Sequence, residues 1–323
     1  MKMIKKILIA IPMMVSVAFA APTLPVGTGS ETGNYYGMMN DIGSYCGEYL
    51  SNGLTLDIQS TGGSSENING ILNKQFAMGI VQADVLSYFQ RSRPNEVNQN
   101  VIKAIAGLHD EPFHILIPRG WQPEVDKGFF GNLFGGDDPV ELNIQSLRDQ
   151  VIGSTGGGMI SARELSNAMD LNLRVVEVNS KELAKQKIPL LLVGGVPYSP
   201  VVELLATKNW KLVSLNYHEI AGRAPIYKQT SLTYTMNGKI TAVPSIAVQA
   251  ILVGKSARKE SRNRPMIELA SCVTASIADL ADDYATNPNW GLVYKFMESG
   301  GRTSWEMFPL DEQLITQIEN ESW

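Results

Sequence analysis

The sequence predicts an α/β protein of two lobes, each with a mainly parallel sheet flanked by helices. Three observations carry this. Short apolar runs of strand length alternate with stretches whose apolar residues recur at helical spacing, the βαβα rhythm that implies parallel sheets covered by helices. Three Gly/Ser/Thr-rich turns, Gly27–Tyr36, Ser60–Asn67 and Gly153–Met159, each close a strand and open a helix. Two apolar segments, Phe113–Pro118 and Lys239–Val253, are placed to carry the chain out of one lobe and back into it.

The elements follow in order. Lys2, Lys5 and Lys6 precede an apolar stretch from Ile7 to Phe19 and an Ala18-Phe-Ala20 site, the form of a secretory leader cleaved after Ala20. The mature chain is then expected in the periplasm. Losing those three lysines takes the formal charge from −5 to −8, which argues against nucleic acid and anionic membrane surfaces as partners. Met38, Ile42, Tyr45, Cys46 and Tyr49 share a helical face, and Leu54–Gln59 alternates as a strand. Ile68, Ile71, Leu72 and Phe76 form a second helical stripe entered from Ser64 as N-cap, and Met78–Val81 is a buried strand ending at Gln82.

Further on, Gln150–Gly153 and Leu190–Val193 read as strands. Ser161-x-x-Glu164 matches a capping box, and Ser199-Pro200 reads as an N-cap followed by the first helical residue. Residues 254–323 read as helices broken at Asn287–Gly291. The segment from Trp121 to Asp138 interleaves Phe129, Phe130, Leu133 and Phe134 with glycines. It is a long loop that either packs locally or serves as a flap or docking loop. The lobes are bounded at 21–113 plus 242–323 and at 114–241. Cys46 and Cys272 either pair in an oxidising compartment or stand as two small buried apolar residues; their distance in sequence decides neither.

The turns carry the chemistry. A glycine turn at a helix N-terminus leaves backbone N–H groups unpaired at the positive end of the helix dipole, a ready anion site, and hydroxyls add donors. Candidate ligand contacts are Gly29, Ser30, Asn34 and Tyr35 in the first turn and Thr61, Gly63, Ser64 and Asn67 in the second. Thr155, Gly156, Gly157 and Gly158 stand in the third. Gln82 ends a strand at the same sheet edge, where open α/β sheets bind ligands, and Gly195 and Pro197 form a wall of the second lobe. Arg163 either reaches a ligand carboxylate or makes a structural ion pair.

Enzyme signatures do not fit. His109 and His114 are five apart rather than the four that place two ligands on one helical face, and no Cys/His cluster has zinc spacing. There is no Gly-x-Ser-x-Gly elbow and no Gly-Lys-Ser/Thr phosphate loop. The sequence calls for no catalytic residue, no metal and no cofactor.

Taken in order, Gly27-Thr-Gly…Asn34-Tyr-Tyr36, Ser60–Asn67, Gly79-Ile-Val-Gln-Ala-Asp84, Val151–Gly158 and Val193-Gly-Gly-Val-Pro197 resemble the TAXI family of solute receptors of TRAP transporters. The resemblance implies a type II periplasmic-binding-protein fold with two hinged lobes and a ligand in the cleft. It also implies a small carboxylate ligand, either a glutamate-like amino acid or a dicarboxylate, and delivery by a monomeric receptor to an integral-membrane TRAP permease. Two departures stand out. Ser30-Glu31-Thr32 replaces a glycine-richer first turn, and a carboxylate at Glu31 would favour a ligand ammonium. The 121–138 segment is also longer than the family pattern. A receptor that presents its ligand to a sensor kinase would share every one of these features.

Overall fold

A computed structural model of the protein describes residues 22–124, 143–236 and 238–321. The leader and most of the 121–138 loop lie outside the described residues. The chain runs β1 (Thr23–Gly27), α1 (Asn34–Cys46), β2 (Thr55–Gln59), α2 (Ser64–Leu72), β3 (Met78–Gln82), α3 (Ala83–Ser92) and β4 (Ile102–Pro118). It continues through β5 (Val151–Ser154), α4 (Gly158–Met169), β6 (Arg174–Glu177), β7 (Leu190–Val193), α5 (Ser199–Ala206), β8 (Trp210–Val213) and α6 (Tyr217–Ile220). The hairpin β9 (Lys228–Met236) and β10 (Lys239–Lys255) is followed by α7 (Arg264–Asp282), α8 (Trp290–Glu298) and α9 (Glu312–Glu321).

In the first lobe β2, β1 and β3 are parallel neighbours, and β10 then β4 extend the sheet antiparallel. In the second, β6, β5 and β7 are parallel, while β7 and β8 flank β4 antiparallel. β4 runs through both sheets. β4 pairs with β10 as far as Pro112 and with β7 from Phe113, whereas β10 pairs with β9 up to Ala247 and with β4 and β3 beyond it. Two α/β lobes are thus joined by crossing strands, each lobe's parallel strands flanked by helices, the mixed architecture expected of a periplasmic-binding-protein fold.

The strands that the apolar runs predict are present, with β4 beginning eleven residues before Phe113. The predicted caps are displaced. Ser64 is the first helical residue behind Gly63, and Ser199 the first behind Tyr198. α4 starts at Gly158, so Ser161 lies inside it and Glu164 instead pairs with Arg91 of α3. Ser64 is displaced because its hydroxyl has another partner: Oγ accepts the backbone N–H of Gln82 at 3.0 Å. Cys46 and Cys272 form a disulfide with Cα atoms 5.7 Å apart, which joins the end of α1 to the middle of α7.

Candidate functional site

The first two turns are held together by backbone and amide bonds. Thr61 N–H donates to the Gly29 carbonyl (3.1 Å) and Thr28 N–H to the Gln59 carbonyl (3.1 Å). Asn67, which the sequence nominates as a ligand donor, is fully buried and gives both amide hydrogens to carbonyls, Thr28 at 2.6 Å and Ile80 at 2.7 Å. Its Oδ1 accepts the Thr61 hydroxyl at 2.7 Å. With no hydrogen left for a ligand, Asn67 shapes the turns. Asn67→Ala should therefore lower stability by about 1–3 kcal/mol, since the buried carbonyls of Thr28 and Ile80 each lose a donor. Urea unfolding of the mature chain measures it, and an unchanged midpoint would show that these bonds do not hold the turns.

The third turn meets the first two from the other lobe. A Cβ added at Gly156 would collide with the carbonyl oxygen of Gly62, and one at Gly157 would lie 2.7 Å from Gln82 Oε1 and 3.0 Å from Ser64 Cβ. At Gly195 it would lie 2.7 Å from Asn34 Nδ2. Gly156 has φ +50° and Gly63 φ +93°, conformations that favour glycine. No N-cap side chain bonds the first turn of α1, α2 or α4, as is also true of α3, α5, α7 and α8, and in the turn before α2 the Gly62 N–H donates to Glu66 and the Gly63 N–H to the Thr61 hydroxyl. The approaches at Gly156, Gly157 and Gly195 bring the N-termini of α1 and α2 against the start of α4 and the turn after β7.

The remaining candidates sit as follows. Gly29 and Thr155 are half-buried, while Ser30 and Pro197 are exposed. Gly158 is packed within its own lobe, against Ser154 Oγ. Arg163 and Glu31 are exposed, and the ion pair on that side of α4 belongs to Glu164.

Sequence reasoning misses the acidic group at this junction. Glu111 on β4 is 5% exposed. Its Oε2 accepts the Tyr35 hydroxyl at 2.6 Å and the Gln82 amide at 3.0 Å. Burial pushes its carboxyl up to about 7, against the smaller opposing effect of those two bonds. His109 is buried beside it with Nε2 3.7 Å from Oε1, too long for a hydrogen bond, and burial lowers its imidazole to about 4, so it is neutral. Asp84, at the start of α3, accepts the Tyr227 hydroxyl at 3.1 Å, and burial raises its carboxyl to about 6. Its charge also disfavours ionisation of Glu111.

Contacts between the lobes extend beyond the turns: Arg91 pairs with Glu164, and Lys228 Nζ with Asp110 Oδ1 at 2.8 Å. A cavity of about 560 Å³ lies where α3 meets α4, bordered by Asp84, Arg91, Glu164, Arg223 and Tyr227. None of the predicted ligand contacts lines it.

The NMT1-like family matches residues 26–135, less than half of the chain. No curated protein sequence matches it. Among solved structures, a protein of Bordetella bronchiseptica RB50 is similar over 92% of this chain and 88% of its own, at 13% identity and a TM-score of 0.50. The zinc-bound ligand-binding component of an ABC-type import system from Staphylococcus aureus is similar over 93% and 84%, at 10% identity and a TM-score of 0.48. A structure described as a periplasmic transporter aligns over 94% and 95%, at 10% identity and a TM-score of 0.47. The likeness to the Bordetella protein is one of fold.

Proposed function

We propose that the protein is an extracytoplasmic solute receptor that closes its two lobes over a small carboxylate and delivers it to a TRAP-type membrane permease. The lobes that move are residues 21–113 with 242–323, and 114–241. The leader is removed after Ala20 in the periplasm. One observation carries this reading: helix N-termini from both lobes converge, with Gly157 set against Ser64 and Gln82. An anion that bridges those turns has all its donors only when the lobes are closed, so binding favours the closed form by its differential affinity. The ligand contacts are Gly29, Asn34, Tyr35, Ser64 and Gln82 from one lobe, and Thr155, Gly156, Gly157 and Gly195 from the other. Thr61, Gly63 and Asn67 hold the shape of the turns, the Gly63 N–H being given to the Thr61 hydroxyl.

A thermal-shift panel of glutamate, glutamine, aspartate, 2-oxoglutarate, succinate, fumarate and phosphate tests it on the refolded mature chain. A ligand at a hundred times its Kd adds about 2.7 kcal/mol, which raises the midpoint by roughly 4–8 °C for a chain of this size. Small-angle scattering of the responding pair should show a more compact particle with ligand. A panel without any shift overturns the carboxylate reading, and equal compactness overturns closure.

A further inference from the structure

Glu111 is a buried carboxylate without a cation beside it among the described residues. The groups that face it are Tyr35 from α1, Gln82 at the end of β3, Asp84 at the start of α3, His109 from its own strand and Tyr198 at the entry to α5. Two of these donate neutral hydrogen bonds, both to Oε2. Asp84 is acidic, and the neutral His109 brings no positive charge. Oε1 has no hydrogen-bond partner among the described residues. Gln82 Oε1 has only the Ser64 hydroxyl at 3.4 Å, and it points at the third turn, where a Cβ on Gly157 would touch it. The junction therefore offers free acceptors and a negative charge a few residues from turns that offer N–H donors.

An ionised carboxylate buried without a counter-ion is costly. With the lobes apart, water can reach Glu111. With the lobes together it is buried, and the charge must be neutralised by a proton or a cation. We propose that Glu111 is the counter-ion for a protonated amine on the ligand, so that the interlobe site takes amine-bearing solutes and discriminates against keto acids of the same skeleton. The amine then licenses closure, while the helix N-termini hold the carboxylate at the other end. This rests on the receptor reading above. It replaces Glu31, which is exposed, as the residue that would favour an ammonium.

The test is calorimetric titration of the mature chain with matched pairs: L-glutamate and 2-oxoglutarate, L-alanine and pyruvate, L-leucine and 4-methyl-2-oxopentanoate. Agmatine, putrescine and butylamine are added as amines without a carboxylate. At pH 8 the amino acid of the responding pair should bind about 10- to 150-fold tighter than its keto acid, the range for a hydrogen bond to a charged group. E111Q, which keeps the shape and the acceptor, should erase that preference. Because the free carboxyl sits at about 7 and an ammonium would lower it, affinity for the amino acid should fall on acidification, by up to about 16-fold from pH 7 to pH 5.5. A keto acid should show the opposite slope, and E111Q should flatten both down to what Asp84 contributes. A keto acid that binds wild type as tightly as its amine partner, or an E111Q protein that keeps the preference, overturns the proposal. Keto acids bound with every amine excluded would sink the amine subsite and leave the carboxylate reading standing. Bare amines bound through Glu111 with no carboxylate bound would do the reverse, and no binding by any probe would overturn both.

Discussion

Gly157→Val should cost about 100-fold in ligand affinity while the protein stays folded. Gly157 is the N-cap of α4 with φ −59° and ψ −31°, a helical conformation that valine tolerates. The substitution therefore puts no strain on the backbone at residue 157, and the three atoms nearest the added Cβ all belong to the other lobe. The added Cβ meets Gln82 Oε1 at 2.7 Å and Ser64 Cβ at 3.0 Å, both across the cleft, and the two methyl groups go further. Gln82 has little freedom to yield, because its amide is bonded to Glu111 and its backbone N–H to Ser64. Overpacking of this kind typically costs up to about 3 kcal/mol, and here the whole cost falls on the closed form. If only that form holds the ligand, apparent affinity drops by the same factor as the closed population.

Neighbouring glycines make poorer tests. A side chain at Gly156 meets a backbone carbonyl and also a φ of +50°, so local strain and blocked closure would be confounded. At Gly158 it meets Ser154 within the same lobe, which would damage the fold itself. The expected signature of Gly157→Val is an unliganded melting point near that of wild type, a large loss of affinity for whichever carboxylate the panel returns, and no compaction on adding it. A variant that still binds and compacts like wild type would remove the third turn from the site.

The turns were legible because their physics is local. A strand end, two or three glycines and a hydroxyl suffice to predict a helix N-terminus with free N–H groups, and the turns at Thr28, Thr61 and Gly156 do meet. Glu111 was not legible. It stands in His109-Asp-Glu-Pro112, just before the apolar run that predicts a strand from Phe113, and no spacing rule marks it. Its importance comes from the register of β4, which runs through that stretch, and from Tyr35 and Gln82, which lie 76 and 29 residues away along the chain. The displaced caps have a similar origin. Ser64 satisfies every local rule for an N-cap, but the N–H of Gln82 on the adjacent strand takes its hydroxyl. Asn67 carries the same lesson in reverse: a polar residue in a glycine turn reads as a ligand donor until its partners show that two carbonyls have used both of its hydrogens.

Removing the disulfide should have the opposite signature. Cys46 and Cys272 are 226 residues apart, so the bond closes a loop that contains the whole second lobe. A loop of that length corresponds to about 5 kcal/mol of unfolded-chain entropy, and measured effects usually fall somewhat below such values. The bond joins α1 to α7, whose buried residues belong to one apolar cluster of the first lobe; among the described residues it does not touch the facing turns. The double variant C46A/C272A should therefore lose about 3–5 kcal/mol of stability and roughly 5–8 °C of melting temperature, while its ligand affinity stays that of wild type. Reductant should lower the wild-type midpoint by a similar amount and leave the variant unmoved. An unchanged midpoint would mean that packing of α7 on α1 already constrains the chain as strongly as the bond does. A fall in affinity parallel to stability would mean that the first lobe is not a rigid frame for its turns. With Gly157→Val the two experiments form a double dissociation, closure lost with stability kept against stability lost with closure kept, and only a hinged receptor with its cross-link inside one lobe predicts both halves.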